Sequence, residues 1–170
     1  MELVDIYDRD GNRTGRVHRR GNRLRRGEYV LVVCVWVTDG AGKLLVTLRA
    51  PEKAASGNFW ENSGGAAKAG ETSRQAIARE LFEETGIRAE EDEFQYLTSD
   101  RSGEALFDFY FLERSVPIEE IVLQKGETTD AKWVTLPELD EMVRRGELPR
   151  PIAHHFRQQR AMLQERMQTK

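Results

Sequence analysis

The sequence predicts an α+β fold, a mixed β-sheet sandwiched between one early helix and helices gathered near the C-terminus. Three observations predict it. Short runs rich in β-branched and aromatic residues lie on both sides of a single helical stretch. Glycine and proline fall where elements should stop and start. Strand and helix do not alternate strictly, which argues against a doubly wound parallel sheet.

In chain order, Leu3 to Tyr7 reads as a strand and Asp8-Arg9-Asp10-Gly11-Asn12 as the turn that closes it. The arginines at 16, 19, 20, 23, 25 and 26 read as a solvated loop, with phosphate attraction or a partner surface as the alternative. Tyr29 to Thr38 is Val-rich and predicts a central strand; Asp39-Gly40-Ala41-Gly42 turns it into its partner, Lys43 to Arg49. A small-residue loop at 50–58 leads to a short strand at Phe59-Trp60 and a tight bend at Ser63-Gly64-Gly65. Ser73 to Thr85 is helical and Gly86 stops it. Phe94 to Thr98 and Ala105 to Leu112 predict strands joined through Asp100-Arg101-Ser102-Gly103. Asp130 to Val134 is a further strand. Pro137 opens a helix to about Arg145, and Pro151 opens the last one, within 150–168. Val32, Val35, Val37, Leu45, Val46, Ile77, Leu81, Phe109 and Val134 are the expected core. No linker divides the chain, so residues 1–170 are expected to form one domain with an N-terminal leader at 1–28.

Composition narrows the function. A formal net charge of -3, from 26 basic and 29 acidic residues, argues against dedicated nucleic-acid binding. Cys34 is the only cysteine, which fits a reducing compartment. No secretory signal follows Met1, and the apolar run at 30–37 is too short to span a bilayer, so no membrane partner is expected and the cytoplasm is the default.

The chemistry concentrates between Gly65 and Ile87. At about 100° of rotation per residue, Glu83 and Glu84 flank Glu80 within one side of the helix. Like charges at these spacings repel, and the helix dipole disfavours acids near its C-terminus. A solvated acidic face is one reading of these three residues. The other is a divalent cation, with Mg²⁺ suited to oxygen ligands and Mn²⁺ a substitute.

The stretch at 65–87 resembles the Nudix box: Gly65, then Glu71, then Arg79-Glu80-Leu81, Glu83-Glu84 and Gly86-Ile87, with every specified position matched. The resemblance implies a Nudix fold and hydrolysis of a diphosphate bond in a small molecule, most naturally a nucleoside diphosphate derivative. It implies that Glu80, Glu83 and Glu84 bind metal with the Gly65 carbonyl, that Arg79 positions the glutamates, and that Glu71 braces loop and helix. Glu127, some residues before Trp133, would be a further ligand or general base; an exposed loop acid is the plainer alternative. Arg49 and Lys53 are candidates to grip substrate phosphates.

Leu3-Val4-Asp5-Ile6-Tyr7-Asp8, Trp60 and Trp133-Val134 are similar to the isopentenyl-diphosphate-isomerase-like branch, where a homodimer is expected. Isomerisation is therefore one alternative, but the isomerases carry a cysteine where this chain reads Asn62-Ser63-Gly64-Gly65, and Cys34 lies in another strand. A non-catalytic nucleotide-binding module is the other alternative, and it would be expected to lose the glutamates. Phe59 and Trp60 read as core, His154 and His155 as surface, and Cys34 as a buried small hydrophobe. Substrate choice is assigned to the loops at 50–58 and 100–104.

Overall fold

The structure is a computed structural model that describes residues 1–53 and 55–169; residue 54, inside the 50–58 loop, and residue 170 lie outside the described residues. Among the described residues, nine strands and three α-helices follow in the order β1 (Leu3–Tyr7), β2 (Arg13–Arg19), β3 (Val30–Thr38), β4 (Lys43–Arg49), β5 (Trp60–Glu61), β6 (Ser63–Ala66), α1 (Ser73–Thr85), β7 (Gln95–Ser102), β8 (Ala105–Glu113), β9 (Thr128–Thr135), α2 (Leu136–Arg144) and α3 (Arg150–Gln168).

The sheet is mixed. β3 runs parallel to β8 along its whole length, from Val30 opposite Ala105 to Thr38 opposite Glu113, while β7 pairs antiparallel on the far side of β8. β3 and β4 share one register pair, Thr38 opposite Leu44, and then part. β6 takes the edge of β3 that β4 leaves. β5 and β9 take the two edges of β4. The sheet is thus splayed into two halves, and a single residue, Asn62, carries the chain from β5 across to β6.

Alternation along the strands builds a core on each face. Leu31, Val33, Val35 and Val37 of β3 pack under α1 against Ala76, Ile77 and Leu81. Trp36 points the other way, with Leu44, Val46 and Phe111, into a cluster closed by Leu139, Phe156 and Leu163 of α2 and α3. The expected sandwich of sheet between α1 and the C-terminal helices is what forms. Of the expected core, all are buried except Val32, which is half-buried because it faces the splay.

Three local readings need correction. Residues 13–19 are not a loop but β2, hairpinned to β1 and exposed on much of both faces, so no apolar alternation marked it. Ser63-Gly64-Gly65 is not a bend but part of β6. Asp100 to Ser102 belong to β7, and the turn to β8 falls at Gly103-Glu104. The leader docks on the loop before α1, where Ala69 N–H donates to the Leu3 carbonyl at 2.8 Å and Gly70 N–H to Asp5 at 2.8 Å.

Candidate active site

Helix α1 sets the geometry. Thr72 accepts from the Gln75 backbone N–H at 3.1 Å, and Gln75 Oε1 accepts from the Thr72 N–H at 3.0 Å, a capping box that fixes where the helix begins. Gly86 ends it at φ 75°, a left-handed conformation that glycine adopts without strain. Buried Ile77 and Leu81 anchor one side to the sheet. Glu80 and Glu84, one turn apart, are thereby aimed at β6, and Glu83 lies further round towards solvent.

Two glycines of β6 make room. A Cβ on Gly65 would come within 2.4 Å of the Glu80 carboxyl carbon, so only glycine lets that carboxylate lie against the strand. A Cβ on Gly64 would strike the Val33 carbonyl oxygen at 2.4 Å. Gly64 N–H donates to Glu84 at 3.3 Å.

Arg79 is the hub. Its Nε donates to Glu71 Oε1 at 2.6 Å and its Nη2 to Glu71 Oε2 at 2.9 Å, a bidentate fork. Its Nη1 donates to Glu80 at 2.8 Å and to Glu83 at 3.2 Å. Burial pushes Glu71 up, but the Arg79 hydrogen bond, the Lys68 N–H and the nearby cations outweigh it and hold this carboxyl below its usual range. Glu80 is raised, by burial first and by Glu83, against the pull of Arg79 and Arg20.

Glu84 stands well above the usual range, through burial and then the charges of Glu61 and Glu80. It keeps some exposed area while protein atoms surround its carboxylate, and that local enclosure is what governs its charge. Glu61, on β5, is raised by burial although Arg49 Nη1 donates to it at 2.8 Å. Lys53 pairs with Glu127, whose charge also reaches Glu61. The expected phosphate grips, Arg49 and Lys53, are therefore at the site but engaged with acids.

Among the described residues, no three His, Cys, Asp or Glu side chains converge closely enough to hold a metal ion as they stand. The cause is visible: Arg79 draws Glu80 and Glu83, and the Gly64 N–H takes Glu84. The donor set still suits a hard cation, because Glu84 lies beside the charges of Glu61 and Glu80 with no Lys or Arg paired to it among the described residues. Modest rotation of Glu80, Glu83 and Glu84 would free their oxygens, beside the Gly65 carbonyl.

A cleft of about 210 Å³ opens in the splay, lined by Arg49, Glu61, Asn62, Gly64 and Gly65 on the acidic side and by Phe107, Phe109 and His155 opposite. Among the described residues a larger groove of about 750 Å³ lies by the N-terminal hairpin, between Arg9, Arg13, Ser73 and Asp108. Neither opening is lined by a helix glutamate, but the smaller one is bordered by Gly64 and Gly65, which meet Glu84 and Glu80, so chemistry rather than size identifies the site. Sequence reasoning missed Glu61 and His155, while Arg20, read as a solvated loop charge with phosphate attraction as the alternative, lines the cleft. His155 is 4% exposed, not a surface residue; its Nε2 lies 3.1 Å from Asp100 Oδ2 and its ring packs on two phenylalanines. Cys34, half-buried, lines the cleft opposite Gly64, its thiol pushed up by burial and then by Glu61, Glu84 and Glu80. Phe59 and Trp60 are half-buried, with Lys132 over the Trp60 ring at 4.2 Å.

Comparison with known proteins agrees with this geometry. The family model described as NUDIX domain matches residues 28–156. An uncharacterized Nudix hydrolase of Listeria monocytogenes is 35% identical over 148 residues, 86% of this chain and 88% of its own length. An isopentenyl-diphosphate Delta-isomerase of Aromatoleum aromaticum is 32% identical over 162 residues, 91% of this chain and 79% of its own. A crystal structure of a Deinococcus radiodurans protein has a TM-score of 0.77 at 22% identity, over 92% of this chain and 98% of that one, a likeness of fold. No helix among the described residues is long and apolar enough to cross a membrane.

Proposed function

This chain belongs to the Nudix family and is a hydrolase acting on diphosphate bonds, and from that premise we propose a magnesium-dependent pyrophosphohydrolase that cleaves a nucleoside diphosphate derivative. The observation that carries the proposal is the crowding of Glu61, Glu80 and Glu84 at Gly64-Gly65, where burial raises all three carboxyls and the charges of Glu61 and Glu80 raise Glu84 further. Such charge costs stability unless a ligand neutralises it.

In this reading Glu80, Glu83 and Glu84 hold Mg²⁺, or Mn²⁺, with the Gly65 carbonyl. When bound, the cation supplies positive charge to the diphosphate and makes water a stronger acid. Arg79 holds Glu80 and Glu83 in place, and Glu71 holds Arg79. Arg49 and Lys53 exchange their carboxylate partners for phosphate oxygens, which frees Glu127 to act as the base. Glu127 takes the proton as water adds to phosphorus, and the bond from phosphorus to the bridging oxygen breaks towards the leaving phosphate. Arg20, close enough to influence Glu80, adds a cation at the mouth.

The test is a panel of nucleoside diphosphates, triphosphates, nucleotide sugars and coenzymes, assayed with Mg²⁺ and after exhaustive chelation. Product formation that survives chelation would refute the metal requirement, and an inert panel would refute the substrate class. Isomerisation is a second reading because Cys34, read from sequence as remote, lines the cleft opposite Gly64. Isopentenyl diphosphate therefore belongs in the panel, and dimethylallyl diphosphate formed without hydrolysis would decide for it. We further propose one domain over 1–170, a homodimer in solution and a cytoplasmic location suited to the lone thiol; limited proteolysis and light scattering test the first two, and fractionation the third.

A further inference from the structure

We infer that the cleft between the two half-sheets is a seat for the substrate's nucleobase, read at its edge by the Asn62 amide and the His155 ring. The inference rests on the reading that the substrate is a nucleoside diphosphate derivative, and it adds where the base binds and what selects it.

Size comes first. At about 210 Å³, the cleft is smaller than the roughly 300 Å³ at which pockets begin to enclose a whole drug-sized ligand. It takes one ring system, with the phosphates outside on the acidic face. Its walls suit a planar ring. Phe107 and Phe109 lie with ring centroids 6.0 Å apart and planes 12° apart, a stacked pair of parallel rings. His155 packs against both, at 4.8 and 4.9 Å.

The polar groups exclude a simple hydrocarbon. Asn62 is 6% exposed, yet its Nδ2 has no hydrogen-bond partner among the described residues. It sits where the chain crosses from β5 to β6, so it faces the gap that the splay opens. A buried amide nitrogen without a partner is unfavourable in the free protein. A ligand edge that offers an acceptor and a donor side by side would satisfy it, as the edge of a nucleobase does for asparagine elsewhere. An isoprenoid chain would leave it unsatisfied.

His155 supplies the second contact. Asp100 accepts from Nε2–H, which leaves Nδ1 as an acceptor on a neutral ring. Burial keeps the ring neutral against the pull of Asp100.

Asn62→Leu keeps the volume and removes the amide. The ratio of kcat/KM for a nucleoside diphosphate to that for base-less ribose 5-diphosphate should fall at least tenfold, mainly through KM. The melting temperature should stay level or rise, because a buried unpartnered donor has gone. His155→Phe keeps the ring packing and should lower the same ratio severalfold, and it serves alone if Asn62→Leu does not fold. An unchanged ratio in the variants that fold would overturn the inference while leaving diphosphate hydrolysis intact. If the wild type hydrolyses no panel member, the parent reading has failed, and calorimetric titration of metal-free protein with nucleoside monophosphates decides instead. Binding that Asn62→Leu abolishes supports the seat, and no binding, or binding unchanged by the substitution, overturns it.

Discussion

Glu71 and Glu84 stand at the two ends of one sequence motif and have opposite surroundings. Glu71 is gripped by both nitrogens of an arginine fork and lies below the usual carboxylate range. Glu84 has a weak backbone donor at 3.3 Å and two neighbouring acids, and lies well above that range. The difference separates a carboxylate that holds structure together from one that waits for a counter-charge. Glu80 lies between them in chemistry as well as in sequence, since Arg79 reaches it while burial and Glu83 raise it.

The largest expected effect sharpens that contrast. Glu84→Gln should lower kcat by roughly 10²–10³-fold, the scale of losing one charge-stabilising group in an active site. It should leave the melting temperature unchanged or raised. A clear drop in melting temperature, measured by calorimetry, would place Glu84 with Glu71. A cation should next stabilise the wild type by about 2.7 kcal/mol at a hundredfold excess over Kd. Glu84→Gln should lose most of that shift in a Mg²⁺ titration of thermal unfolding.

Glu71→Gln should act mainly on stability. Its side chain and that of Arg79 are 19% and 18% exposed, so the charged hydrogen bonds are worth about 1.5–3 kcal/mol. Urea denaturation should show the loss, and activity should fall by less than in Glu84→Gln. The smallest effect is the pH dependence of the same pair. Because Glu71 is depressed below 4.5 when folded, its contribution is present above the unfolded value and is lost as pH falls through the folded one. The wild type should therefore lose stability more steeply than Glu71→Gln below about pH 4.5. Parallel acid limbs would remove the distinction between the two glutamates.

The parts that could be read from sequence are those encoded locally. Helix α1 runs from Ser73 to Thr85 with Gly86 after it, as its sequence indicates, because caps act within one turn. Its three glutamates share a side by spacing alone. The cleft could not be read in the same way, because Glu61, Asn62, Phe107 and His155 come from separate elements. They meet only because β3 and β4 part after a single register pair, and no local periodicity encodes that parting. Gly64 and Gly65 suggested a turn by type, but their small size serves close approach within a strand. His155 suggested surface by type, but a carboxylate and two aromatic rings make a satisfied interior for it.

The parallel pairing of β3 with β8 sets an order of events during synthesis. Four other elements, from β4 to α1, and the edge strand β7 lie between the two partners in the chain. Parallel partners joined by so long a connection close late, since loop entropy is lost before the contacts form. A chain emerging from the ribosome would thus expose the complete acidic helix before the strand that completes its platform exists. During that interval the glutamates are ordinary solvated acids. Their crowding, and the affinity for a cation that goes with it, would be acquired only when residues 105–113 have been made and docked.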